Sequence, residues 1–143
     1  MRILAVDHGT KNIGVAISDP TGTIANPLTV FKHVSRLLDA QVIAGLAIQH
    51  EAVLILIGQS LDEEGGLTLA GRRAARFASV LRRQIDIPVV LWDEAFTTQE
   101  ARTALITLRI SRKRRSGHLD DLAATLLLQS YLDTRSEDQD SQE

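Results

Sequence analysis

The stretch ILAVDHGTKNIGVAIS, Ile3–Ser18, reads as two apolar runs joined by a polar turn. Runs of this length in which side chains alternate between two faces are strands. Arg2 to Asp7 and Asn12 to Asp19 are therefore expected to form a hairpin, closed by His8-Gly9-Thr10-Lys11, where Gly9 can supply a positive φ. The first run ends on a carboxylate, Asp7, on the same face as Ile3 and Ala5. Taken alone, Asp7 is an acidic turn residue, a metal ligand aimed at a phosphate, or part of a D-x-G-T loop of the kind that wraps the phosphates of ATP.

Working outward, Thr21–Lys32 follows a turn at Asp19-Pro20 and predicts a third antiparallel strand, interrupted at Pro27. A three-stranded meander is the natural arrangement. Val34 to His50 has helical spacing, with Leu37, Leu38, Val42, Leu46 and Ala47 on one side. Ala52–Gly58, AVLILIG, is continuously apolar, as a strand buried on both faces reads. A loop follows, then a helix over Leu67–Gln84 with Ala70, Ala74, Phe77 and Leu81 as its core stripe. IPVVLWD, ending at Asp93, predicts a second fully buried strand. Thr97 to Arg109 is expected to be a helix, Ile110–Gly117 a basic loop, and Leu119 to Asp133 a last helix. An antiparallel meander followed by βαβ crossovers gives an α/β fold, a mixed sheet of five strands with helices on its faces.

Length and composition agree with that plan. The chain has 143 residues, room for one domain with a real core. Hydrophobic residues make up 44% and charged residues 24%, as in an ordinary soluble domain. No apolar run approaches the ~18 residues that cross a bilayer, so no membrane partner is expected. The first residues lack a secretory signal pattern. With no cysteine, disulfides and thiolate metal sites are excluded, and a metal would be held by carboxylates or His.

The net charge of −2 hides an uneven distribution. Between Arg72 and Arg115 stand 11 Lys and Arg against 4 Asp and Glu. Such an excess is either a set of solvated helix faces or a surface that meets phosphates. The end is acidic, with no apolar residue after Leu132. Residues 1–134 are therefore expected to form the domain and 135–143 an acidic, disordered tail.

Further carboxylates fall where the elements end. Asp93 and Glu94 close the last strand, and the carboxyl ends of parallel strands are where sites gather. At helical spacing Asp120 has Ala123, Ala124, Leu127 and Tyr131 as neighbours, which predicts a carboxylate on the packed side, whereas Asp121 lies nearer Thr125, toward solvent. Two carboxylates about 4 Å apart repel by roughly 4 kcal/mol at an effective dielectric near 20. A divalent ion removes that cost, and oxygen ligands select Mg²⁺ or Mn²⁺. His8 is expected to be a solvated turn residue, and Lys11 either a phosphate contact or solvated.

RILAVDHGTKNIGVAISD, VVLWDEAFTTQEA and LDDLAATLLLQSYLD, in that order, resemble the YqgF/RuvX family of RNase H-like proteins. The resemblance covers nearly the whole chain except the acidic end. It implies an RNase H-like fold, a cytoplasmic location, Mg²⁺ or Mn²⁺ as cofactor, and metal-binding roles for Asp7, Glu94 and Asp120, with Asp93 as a substitute for Glu94. The family is described as Holliday junction resolvases and as nucleases that mature the 5′ end of pre-16S rRNA. The chain departs from the family pattern at His8, at Asn12, at Gly58-Gln59-Ser60, and at Ala95, where an Arg is usual.

The leading expectation is thus a metal-dependent nuclease acting on pre-rRNA or branched DNA. Lys11, Arg72, Arg73, Arg76, Lys113, Arg114 and Arg115 would position the nucleic-acid backbone. Junction resolution calls for paired active sites and hence a homodimer, and rRNA maturation for contact with ribosomal precursor particles. The alternatives are a catalytically silent RNA-binding module of ribosome assembly and an actin-like ATPase completed by a partner domain.

Overall fold

The computed structural model describes residues 1–94, 103 and 122–141. Five strands are present, β1 (Arg2–His8), β2 (Asn12–Ser18), β3 (Ala25–Lys32), β4 (Ala52–Gln59) and β5 (Val89–Asp93). Three helices are described, α1 (Arg36–Gln49), α2 (Leu69–Arg82) and α3 (Leu122–Ser141). The sheet runs β3-β2-β1-β4-β5. β1, β2 and β3 pair antiparallel, while β1–β4 and β4–β5 are parallel. This is the mixed five-stranded sheet expected from the order of elements, with β1 at its centre. The segments expected as the helix Thr97–Arg109 and the basic loop lie outside the described residues, Thr103 excepted.

Alternation along each strand sorts the core into two layers. Leu4, Val6, Ile13, Val15, Ile55 and Ile57 face α1 and α2. Ile3, Ala5, Ala16 and Leu56 face α3, which answers with Ala124, Leu127, Leu128 and Leu132. Helices therefore cover both faces.

Several local expectations are corrected. Gly9 does not take a positive φ, and the left-handed glycines described are Gly22 (φ 72°) and Gly65 (φ 86°). Its constraint is contact, since a Cβ there would lie 2.5 Å from the Asn12 carbonyl oxygen. β5 is an edge strand, buried fully only at Val89, so its apolar run reflects one neighbouring strand rather than two. On α1 the buried side is Asp39, Ala40, Ile43, Ala44 and Ala47, while Leu37, Leu38 and Val42 are exposed. The small residues of α1 let it approach the sheet closely, and the buried Asp39 fixes which side turns inward. Ala70 is exposed, while Ala74, Phe77 and Leu81 form the stripe expected of α2. The backbone of α3 is helical through Ser141, within the stretch whose composition predicts a disordered end.

Pro27 sits in β3, an edge strand, where a missing N–H is tolerated. The register with β2 shifts there, Val15 facing Thr29 and Ala16 facing Pro27, so Leu28 is the extra residue of a bulge.

Candidate active site

Asp7 stands at the carboxyl end of the central strand, on the face covered by α3. Its cross-strand neighbour in β2 is Gly14. On the other side, Asp7 and Gly58 follow directly on the Val6–Ile57 pair of β1 and β4. The carboxylate is thus flanked on its own face by two residues without side chains. Burial raises its pKa above the usual carboxylate range, and no cation among the described residues offsets that.

The gap over Gly58 is occupied from β5. A Cβ on Gly58 would lie 3.1 Å from Glu94 Oε1 and 3.1 Å from Leu127 Cδ2. The Glu94 carboxylate therefore folds back across β4, on the same face as Asp7 and one strand away from it. Asp93 belongs to the other face: Trp92 packs with the α3 layer and Leu91 with the α1/α2 layer, so alternation sends Asp93 with Leu91. Asp7 and Glu94 therefore belong to one face of the sheet and Asp93 to the other.

α3 is fixed over this spot by β5. Trp92 Nε1 donates to Ser130 Oγ at 3.1 Å, and the Trp92 and Tyr131 rings meet edge to face with centroids 5.1 Å apart. The expected division of α3 into packed and solvent edges is corrected: Ala123 is exposed and Thr125 is 1% exposed. The buried arc is wide because Thr125 and Ser130 join the apolar residues on it. Asp120 and Asp121 lie outside the described residues.

A second polar cluster occupies the opposite face at the same edge. His8, expected to be a solvated turn residue, ends β1 with its side chain 2% exposed, stacked on Phe77 of α2 at 4.3 Å between ring centroids. Its pKa is lowered, chiefly by burial, with the Asp39 carboxylate opposing and Arg73 and His33 adding to the shift. Asp39, in the first turn of α1, places Oδ2 2.5 Å from His33 Nδ1 and 3.5 Å from His8 Nε2, while Oδ1 accepts from the Val34 N–H at 3.1 Å. Sequence reasoning missed His33 and Asp39. The one local signal is Ser35, whose side chain accepts from the Leu38 N–H as a helix cap and so puts Asp39 in the first turn.

Of the cationic residues, Lys11 is exposed in the β1–β2 turn, and Arg72, Arg73 and Arg76 lie on the first two turns of α2. All four stand at the carboxyl edge of the sheet, the three Arg on the α2 side. Arg82 has a structural task, its guanidinium donating to the Val89 carbonyl at 2.7 and 3.2 Å. Lys113, Arg114, Arg115, Ala95, Arg102 and His118 lie outside the described residues. The clefts lined by Met1, Thr21, Leu132 and Arg135, and by Arg2, His50 and Val53, open at the opposite edge, away from Asp7. No helix among the described residues is long and apolar enough to cross a membrane.

Comparison with known proteins bears on the fold and the family. Among solved structures, the fold is similar to Thermus thermophilus RuvC in complex with a Holliday junction substrate, with TM-score 0.59 and 14% identity over 95% of this chain and 96% of that one. It is likewise similar to the fowlpox virus resolvase bound to Holliday junction DNA, with TM-score 0.59 and 17% identity over 94% and 98%. A Thermoanaerobacter pseudethanolicus protein provisionally named a pre-16S rRNA nuclease is 43% identical over 94% of this chain and 98% of its own. A protein of the same provisional name from Halalkalibacterium halodurans is 39% identical over 93% and 96%. The sequence model of a nuclease family, RuvX, described as Holliday junction resolvase, matches residues 1–134. Matched by that model along residues 1–134, and 39–43% identical to two relatives over nearly their whole length, the chain belongs to the RuvX family.

Proposed function

We propose that this chain is a metal-dependent nuclease that hydrolyses phosphodiester bonds in structured nucleic acid, with Asp7, Glu94 and Asp120 as ligands of one or two Mg²⁺ or Mn²⁺ ions. The observation that carries the reading is Glu94 lying over Gly58, the β4 residue that stands beside Asp7 on the same face. A Cβ at Gly58 would press on Glu94, and burial raises the Asp7 pKa, a shift that a bound cation would oppose. An oxygen-only donor set suits Mg²⁺ or Mn²⁺. When bound, such an ion supplies activation of water and charge compensation at a phosphodiester.

Asp7 is directed by the rigid central strand and Glu94 by the end of β5. Asp120 is favoured over Asp121 as third ligand by spacing. A helix of about 100° per residue continued back from Leu122 would put Asp120 roughly 20° from Leu127, the residue above Gly58, and Asp121 roughly 120° from it. Lys11, Arg72, Arg73, Arg76, Lys113, Arg114 and Arg115 hold the nucleic-acid backbone, largely independently of sequence and with strong salt dependence.

The substrate we favour is the 5′ end of pre-16S rRNA, free or within a ribosomal precursor particle in the cytoplasm, because relatives at 39–43% identity carry that name. A second reading, resolution of four-way DNA junctions by a homodimer, is favoured by the family's description. The deciding experiment measures Mn²⁺-dependent cleavage of a precursor 16S rRNA end and of a four-way junction by wild type and by Asp7→Asn. Loss of cleavage in the variant supports the carboxylate mechanism, and the substrate cut by wild type chooses between the readings. Cleavage that survives the substitution sinks the mechanism, and binding of both nucleic acids without cleavage makes the protein a silent module.

A further inference from the structure

The geometry points to a second metal site, built from His8, His33 and Asp39 on the face of the sheet opposite Asp7 and suited to a zinc-class ion. Three elements converge on it: the end of β1 through His8, the segment after β3 through His33, and the first turn of α1 through Asp39. One ligand atom from each lies within 4.8 Å of the others. In a tetrahedral zinc site with bonds near 2.0–2.1 Å, neighbouring ligand atoms are about 3.3 Å apart. The His8 Nε2 to Asp39 Oδ2 distance is 3.5 Å, which is already that of such an edge and too long for a hydrogen bond. The His33 Nδ1 to Asp39 Oδ2 contact of 2.5 Å must open by under 1 Å, and His33, with 29% of its side chain exposed, has room to move.

His8 supplies the independent observation. Its side chain is 98% buried, and neither ring nitrogen has a hydrogen-bond partner among the described residues. Buried imidazole nitrogens are ordinarily paired. Phe77 holds the His8 ring flat against α2, and Nε2 points at the carboxylate shared with His33. Two imidazoles and one carboxylate make a set that favours zinc, and differ in kind from the oxygen ligands proposed around Asp7. Arg73 places a positive charge near His8, which the Asp39 carboxylate counters. The His33 side chain, 29% exposed, leaves the cluster within reach of water, which would complete the coordination of an ion held there. An ion there would tie β1 to the β3–α1 junction behind the carboxylate site.

The full-length protein, stripped with chelator, is titrated with Zn²⁺ by calorimetry and with Co²⁺ by visible absorption. Wild type and Asp7→Asn are expected to bind one Zn²⁺ per chain with the same affinity and to give the absorption of tetrahedral Co²⁺. His33→Ala, at a partly exposed position that leaves the core intact, is expected to weaken Zn²⁺ at least 100-fold, and His8→Phe, which keeps the stack on Phe77, to do the same. Equal binding by wild type and His33→Ala would overturn the proposal, as would loss of the ion in Asp7→Asn. A wild type that takes up no stoichiometric zinc also overturns it, and leaves Asp39–His33 as a metal-free hydrogen bond. Neither result depends on nuclease activity, so failure here is separate from failure of the nuclease reading.

Discussion

The two faces of the sheet are built from the same strands and do different work. Toward α1 and α2 the strands present Leu4, Val6, Ile13, Val15, Ile55 and Ile57, large side chains closed off by Phe77 and Leu81. Toward α3 they present Ile3, Ala5, Ala16 and Leu56, then Asp7 between Gly14 and Gly58. Behind the polar cluster at its edge, the first face fills its volume with hydrocarbon and supplies stability, whereas the second narrows to small residues and leaves room for a carboxylate. Adjacent residues of one strand, Asp7 and His8, thereby enter unlike surroundings.

That division breaks if Asp7→Asn destabilises the fold as much as Phe77→Ala does, or if Phe77→Ala abolishes cleavage in the folded protein. Asp7→Asn is expected to lower metal-dependent cleavage by at least 10⁴-fold, about 5.4 kcal/mol or more, with the fold unchanged by circular dichroism. Phe77→Ala should show the opposite pattern, a loss of roughly 3–5 kcal/mol in denaturant unfolding. Gly58→Ala sharpens the picture, because its methyl would press on both Glu94 and Leu127. Cleavage should fall about tenfold, and stability by about 1 kcal/mol.

Much of this was readable in the sequence, for a definable reason. Strand periodicity places Asp7 at a strand end on a known face, and the order of elements predicts a five-stranded mixed sheet. Periodicity does not tell which side of α1 is buried, because its leucines and its alanines are both apolar and the choice is made by Asp39 pairing with His33. Nor does it separate Glu94 from Asp93, which requires the position of Trp92 under α3. His8 misled because it follows a strand end and precedes a turn glycine, although the strand runs one residue further and buries it.

Smaller effects test the attachments. Trp92→Phe removes the hydrogen bond to Ser130 and should cost about 1 kcal/mol, read from urea unfolding. The smallest expected effect is on pH dependence. Because burial raises the Asp7 pKa in the folded state, the folded chain binds the proton more tightly than the unfolded chain. Without metal, this group's contribution is most favourable below its unfolded pKa of about 3.8 and is lost as pH rises toward the folded value. At neutral pH, Asp7→Asn should therefore melt a few degrees higher than metal-free wild type, and Mg²⁺ should narrow or reverse the gap.

The bulge at Leu28 and the proline beside it bear on how copies of this chain can meet. A straight outer strand offers its free amides and carbonyls to a neighbour, and a continuous ribbon across two molecules results. β3 offers neither a regular ladder nor an amide at Pro27, so growth of the sheet past that margin is disfavoured. Copies that met at that margin would then join side chain to side chain, and each sheet would keep its own twist there.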